Sequence, residues 1–283
     1  MPLEPCTVAA EGRSLYGVLE APDGRACGGV VIVHGWGGCR VGPHRILVET
    51  GRELVRRGFA VLRFDLGGRG ESEGEPTEAD LDAMIADVRA VVGALRERLG
   101  EDAPIALLGM CSGGNVALAA AALEGEVAGV AAWSTYPFQE QEAVGQDARR
   151  TGHFLKVYLG KALRPATWRK LLRGGVNFAG VRAALFGHYR KGEGTARDLQ
   201  RSRQDVLGAL AAYGGRTLFV YGGKDPQAGA AEKAFQAFCS EHGIPAQFHT
   251  VAGANHNFYS LAWKREAIEV SGAWLTDVLT GRV

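Results

Sequence analysis

The sequence predicts an α/β protein, a mostly parallel β-sheet with helices on both faces. Three observations predict it. Short aliphatic and β-branched runs alternate with helix-length segments along most of the chain. Glycine is in excess, 41 of 283 residues, and much of it stands at the ends of those runs, where tight turns are needed. The chain as a whole is 46% hydrophobic and 22% charged, the balance of a soluble globular chain. The glycines have no three-residue period and the chain keeps ample Val, Leu and Phe, which excludes collagen and disorder.

The elements follow in order. Residues 7–22 alternate about Glu11-Gly12, predicting an antiparallel hairpin. Strands are expected at Gly29–His34, Ala60–Asp65, Ile105–Met110 and Val130–Thr135, with helices near 44–58, 77–99 and 112–124 between them. The rhythm resumes with a strand at Thr217–Tyr221, a helix near 228–242, a strand at Ala246–Val251 and a last helix near 265–279. The most apolar stretch, Asn115 to Trp133, is Ala-rich and carries Glu124 and Glu126, so it reads as helix, turn and buried strand, not as a membrane span.

The interval 138–213 breaks the pattern. It is too long for a loop in a compact domain and shows helical patterning without strand-like runs. It is expected to be a helical lid inserted into a core made of 1–137 and 214–283. Between Arg149 and Arg203 stand fourteen Lys and Arg against two acids, Glu193 and Asp198, a net +12 in a chain whose formal total is +1. Two readings stay open for this run: a solvated helical face, or a surface that docks an acidic carrier protein, a coenzyme A ester or an acidic polysaccharide. The near-zero total recommends neither nucleic acid nor an anionic membrane. The start lacks a basic n-region followed by an apolar stretch, and five cysteines are odd in number and irregularly spaced. A cytoplasmic protein with reduced thiols is expected. No CxxC pair, HExxH or His/Asp cluster suggests a metal, and no cofactor is expected.

The chemistry gathers at strand ends. IALLGM runs into Gly109-Met110-Cys111-Ser112-Gly113-Gly114 and then a helical run. This is the strand–turn–helix frame of a nucleophile elbow with Cys in place of Ser. Side chains two residues either side of the nucleophile would collide, so Gly109 and Gly113 fit Cys111 as the centre; for Ser112 the corresponding position is Met110. The following helix start favours a thiolate. GVVIV ends in His34-Gly35-Trp36-Gly37-Gly38, where a backbone N–H can serve an oxyanion hole. Its donors would be the N–H groups of Trp36 and Ser112, while His34 braces the loop. The loop Asp65-Leu66-Gly67-Gly68-Arg69-Gly70-Glu71-Ser72 is read as structural. TLFVY ends in Gly222-Gly223-Lys224-Asp225-Pro226, which places Asp225 where an acid partner belongs; the alternatives are a helix-capping role for Asp225 and Glu140 or Glu142 as the acid. The last strand leads to Gly253-Ala254-Asn255-His256-Asn257-Phe258, a loop histidine. Within the insertion Phe154, Tyr158 and Trp168 are candidates to line an acyl pocket as well as to pack the lid.

HGWGG, FDLGGRGES, GMCSGG, GGKDP and GANHNF stand in an order that resembles the α/β-hydrolase superfamily. The resemblance spans about 7–279 and implies a mostly parallel eight-stranded sheet with a lid. Cys111 departs from the common serine and is similar to the Cys-His-Asp variant typified by dienelactone hydrolase. The lid sequence FLKVYLGKALRPATWRKLLRGGVNF resembles hydrolases associated with exosortase systems. The resemblance implies an esterase or thioesterase working through acyl-Cys111. Two alternatives remain: an acyltransferase or cyclase fed by a carrier protein or coenzyme A, and a non-catalytic binding protein on the same fold.

Overall fold

The structure is a computed structural model, and it describes residues 3–76, 79–138 and 202–282. Most of the expected insertion, with Glu140, Glu142, Phe154, Tyr158 and Trp168, lies outside the described residues.

Eight strands form one sheet in the order β1-β2-β4-β3-β5-β6-β7-β8. They are β1 Leu3–Ala10, β2 Arg13–Glu20, β3 Gly29–Val33, β4 Ala60–Phe64, β5 Ile105–Met110, β6 Gly129–Trp133, β7 Arg216–Gly222 and β8 Ala246–Val251. The hairpin β1–β2 joins antiparallel to β4, turning on Glu11 and Gly12, both at positive φ. Every other pairing is parallel, so all the loops leaving β3 to β8 open on the same carboxyl edge.

Period-2 patterning explains why the central strands are aliphatic throughout. In β3, Val31 and Val33 enter one core while Val30 and Ile32 enter the other. Ile105 and Leu107 of β5 alternate with Ala106 and Leu108 in the same way. Four helices contribute to the first core: α2 Leu81–Leu99, α3 Ser112–Glu124, α4 Val206–Ala211 and α5 Ala228–His242. The second core lies under α1 Ile46–Arg56 and α6 Leu261–Thr280.

Caps set several boundaries that periodicity left loose. Asp80 accepts the Ala83 N–H at 2.9 Å, so α2 starts at Leu81 and not at 77. Ser260 accepts from Trp263, which starts α6 four residues earlier than its apolar pattern suggests. Helix α4, which the sequence reading assigns to the insertion, packs against α3 and α5, with Val206, Leu210 and the adjacent Tyr213 buried in the first core. Chain contacts divide the molecule into Met1–Phe138 with Leu199–Val283, and Gln139–Asp198. Among the described residues no helix is long and apolar enough to cross a membrane.

Candidate active site

The site is assembled on the carboxyl edge, beginning with the turn from β5 into α3. Cys111 adopts φ 58°, ψ −128°, a conformation L-residues avoid and that persists only where its surroundings impose it. The surroundings are visible. The Cys111 N–H donates to the Trp133 carbonyl at 2.7 Å, tying the turn to β6. A Cβ on Gly109 would collide with the Gly113 carbonyl, and one on Gly113 would stand 2.5 Å from the Val33 carbonyl oxygen. These glycines let the turn close against β3, and Cys111 is thrust out of it at the head of α3.

His256 reaches the same place from the loop after β8. That loop is anchored by Ser134, whose hydroxyl donates to the His256 carbonyl at 2.9 Å, and by buried Phe258 set edge-on to Trp133. Asp225 comes from the loop after β7, with its backbone N–H donating to Gly222 at 2.9 Å. The two loops meet because Gly222 has no side chain: a Cβ there would lie 2.5 Å from the Asn255 carbonyl oxygen.

The three side chains form a coupled row. His256 Nδ1 lies 2.7 Å from Asp225 Oδ2, and the imidazole acts to lower the Cys111 thiol. Asp225 takes the Gln227 N–H on Oδ1 at 3.1 Å. It therefore bonds the start of α5 and the histidine at once, and the capping role and the partner role coexist. Burial pushes the Asp225 carboxyl up, but its bonds from His256, Gln227 and Tyr136 hold it below the usual carboxylate range. Burial likewise raises the Cys111 thiol, yet the bonds from His256 and Ser112 and the imidazolium charge bring it below its ordinary 9.0. For His256 burial acts downward and is overcome by Asp225 and Cys111, which raise it to about 9. The three directions agree with one arrangement, a thiolate facing an imidazolium backed by a carboxylate.

The loop after β3 is braced from below. His34 is buried; its Nε2 accepts the Leu66 N–H at 3.0 Å, which leaves the proton on Nδ1 to donate to the Gly35 carbonyl at 2.8 Å. Burial lowers its pKa, so it is a neutral strut. The Arg69 guanidinium lies 3.6 Å over the Trp36 ring and donates to the Trp36 carbonyl at 2.9 Å. Arg40 pairs with buried Asp65 and with Glu71. The FDLGGRGES segment thus holds the Trp36 loop in place. Trp36 and Ser112 are side by side, but not as two open donors: the Trp36 N–H donates to the Ser112 hydroxyl at 2.7 Å.

One residue of the site escaped the sequence reading. Tyr136, just past β6, donates its hydroxyl to Asp225 at 2.9 Å from Oδ2, stands 2.9 Å from His256 Nδ1, and stacks on the His256 ring at 5.6 Å between centroids. No motif announces it. The available signal was its place after the strand next to both β5 and β7. Phe154, Tyr158 and Trp168 lie outside the described residues. Among the described residues no group of three or more His, Cys, Asp or Glu could hold a metal ion, and the five cysteines are free thiols.

Comparison with known proteins places the chain in a family. Residues 29–171 match the family model described as alpha/beta hydrolase fold. No curated protein matches the chain. Similar solved structures include an esterase of Pyrococcus furiosus, 18% identical with a TM-score of 0.69, covering 98% of this chain and 91% of that one. A dienelactone hydrolase from Anabaena variabilis is 16% identical with a TM-score of 0.63, covering 97% and 96%. Est1E from Butyrivibrio proteoclasticus, solved with ferulic acid bound, is 18% identical with a TM-score of 0.62, covering 97% and 99%. At these identities the likeness is one of fold.

Proposed function

We propose that this chain, which belongs to the alpha/beta hydrolase fold family, is an enzyme that cleaves an ester or thioester through a covalent acyl-Cys111 intermediate. The observation that carries the proposal is the row Cys111, His256, Asp225, with His256 hydrogen-bonded to Asp225, its imidazole acting to lower the Cys111 thiol, and Cys111 itself at φ 58°.

The steps follow from the charges at rest. The Cys111 thiolate attacks the substrate carbonyl carbon, forming the S–C bond while the π pair moves onto oxygen. That oxygen displaces the Ser112 hydroxyl from the Trp36 N–H and takes up the N–H groups of the Trp36 and Ser112 region, an interaction on the order of 3 kcal/mol per well-aimed donor. Collapse expels the alkoxide or thiolate, which takes its proton from the His256 imidazolium. The neutral imidazole then removes a proton from water, the hydroxide attacks the thioester, and Cys111 leaves as thiolate with His256 again protonated. Asp225 keeps the imidazole oriented and offsets its charge throughout. No step needs a metal or an external cofactor.

The thioester intermediate bears on the acceptor. It is less resonance-stabilised than the ester a serine would form, so alcohols and amines compete better with water. Acyl transfer is therefore the second reading, favoured by the sulfur nucleophile itself.

The test is turnover of a panel of short-chain para-nitrophenyl esters and coenzyme A thioesters by the parent and by Cys111→Ala. The expected result is turnover of at least one substrate class by the parent and background rates in the variant. Equal turnover by both proteins sinks the cysteine mechanism.

A further inference from the structure

Just past β6, three consecutive residues each hold a different part of the site. The Ser134 hydroxyl donates to the His256 carbonyl at 2.9 Å, the Thr135 hydroxyl to the Cys111 carbonyl at 3.2 Å, and the Tyr136 hydroxyl to Asp225 Oδ2 at 2.9 Å. The segment is itself held on both sides. The Ser134 N–H donates to the Val220 carbonyl of β7 at 2.8 Å, the Tyr221 hydroxyl to the Thr135 carbonyl at 3.0 Å, and the Asn115 amide of α3 to the Tyr136 carbonyl at 2.7 Å. Ser134 is the point where the extended run of β6 ends, at φ 48° and fully buried. Glycine is the residue that such a backbone favours. A serine held there against that preference carries a hydroxyl whose acceptor is the backbone of His256.

We propose that Ser134 is a positioning residue that acts through His256: its hydroxyl fixes the backbone of the histidine loop and so sets the direction in which the ring points. The proposal rests on the reading of Cys111, His256 and Asp225 as the reacting row. The ring needs such a hold. Asp225 Oδ2 at 2.7 Å and the Tyr136 hydroxyl at 2.9 Å both meet it at Nδ1. Two bonds that converge on one ring atom fix that atom and not the direction of the far nitrogen, Nε2. The stacked Tyr136 ring fixes the plane, and the main chain sets the direction within it. That main chain belongs to the loop after β8, an edge strand with one neighbour in the sheet. The end of β6 grips the loop twice, Ser134 at the His256 carbonyl and Trp133 edge-on to Phe258, which also stands at φ 48°. The hydroxyl transfers no proton; it holds a carbonyl whose position decides whether the imidazole is aimed.

The experiment compares Ser134→Ala and Ser134→Gly, each alone and combined with His256→Gln. Glycine takes φ 48° without strain, so Ser134→Gly keeps the fold while losing the hydroxyl. The first readout is the rate of Cys111 alkylation by iodoacetamide at neutral pH, followed by peptide mass, which needs no turnover. The second is kcat and KM on para-nitrophenyl acetate, with Cys111→Ala run alongside. Both Ser134 variants should lower the alkylation rate and kcat by on the order of 10-fold with KM little changed. Once His256 is replaced, neither should slow alkylation further, because a residue that acts through the imidazole has nothing left to act on. Parent rates in Ser134→Gly overturn the proposal, since the hydroxyl would then have no part in the site. An equal further loss in the His256→Gln background overturns it too, since the hydroxyl would then support the fold at large. Undiminished turnover by Cys111→Ala instead removes the nucleophile assignment, and the alkylation cycle still decides the role of Ser134.

Discussion

Tyr136 and His256 share one oxygen of Asp225. The phenol hydroxyl stands 2.9 Å from Oδ2 and the imidazole Nδ1 2.7 Å from the same atom, with the two rings stacked. Asp225 is therefore held by two side chains and a backbone N–H, and its 7% exposure leaves little water to replace any of them. Tyr136→Phe removes the phenolic donor but keeps the stacked ring. Its expected effect is a kcat reduced roughly 10- to 100-fold with KM nearly unchanged, the order of one hydrogen bond to a carboxylate lost beside the reacting groups. Steady-state kinetics on the substrate found active checks it; an unchanged kcat shows that Asp225 is positioned without the phenol.

The paired shifts of Cys111 and His256 set the pH range. The thiolate forms above the lowered thiol value, so the acid limb of kcat/KM should lie below the ordinary 9.0 of a free thiol. The imidazolium that protonates the leaving group is lost as pH rises through about 9, which places the alkaline limb there. His256→Gln removes the largest of the influences that lower the thiol and leaves burial, which raises it, opposed by Ser112 alone. Alkylation of Cys111 in that variant should shift to higher pH. A parent profile without an alkaline limb near 9, or an unmoved alkylation midpoint in the variant, contradicts the ion pair.

The turn at Cys111 is as much a packing requirement as a catalytic one. Gly113 faces the Val33 and His34 carbonyl oxygens, and Gly114 faces the Thr135 side chain, so neither can gain a methyl group without backbone movement. Gly113→Ala should destabilise the fold by about 3 kcal/mol, read as a lowered urea midpoint at constant slope. Gly125→Ala is a control with no neighbour near the added Cβ, though its φ of 70° makes it a strained site for alanine. Its smaller loss should come from backbone conformation alone, about 1 kcal/mol. Equal losses for the two would mean that the close approach at Gly113 relaxes freely.

Arg69 tests the brace under the oxyanion side. Besides Trp36 it donates to the Gly67 and Pro76 carbonyls at 3.1 Å each, so one side chain ties three backbone segments. Arg69→Ala should lower kcat more than it lowers the alkylation rate of Cys111, since the Trp36 loop serves the carbonyl oxygen and not the sulfur. Parallel losses in both readouts would point to general unfolding of the site.

The sequence made the sheet and the positions of Cys111, Asp225 and His256 legible for a physical reason: Cys111 and Asp225 lie in strand-end turns whose glycines are demanded by backbone contact, at Gly109, Gly113 and Gly222, and Gly222 closes on the loop that carries His256. Local chemistry wrote those signals. Tyr136 was not legible because its partners are 89 and 120 residues away and meet it only through strand order. The Ser112 hydroxyl was hidden similarly. Its motif position announces a backbone donor, while the bond from Trp36 comes from a loop 76 residues earlier. Helix α4 falls in the interval read as the insertion because its six residues carry too little pattern to reveal that Val206 and Leu210 join the first core.

The central claim is a covalent acyl group on Cys111, and one measurement addresses it directly. The parent and Cys111→Ala are mixed with para-nitrophenyl acetate, quenched in acid within seconds, and weighed intact, with the modified residue located by peptide mapping. The account predicts a mass gain of one acetyl group in the parent, mapped to Cys111, appearing before steady state and decaying as product forms, and no such gain in the variant. Turnover with no adduct at Cys111, or the same adduct on another residue in both proteins, would contradict it.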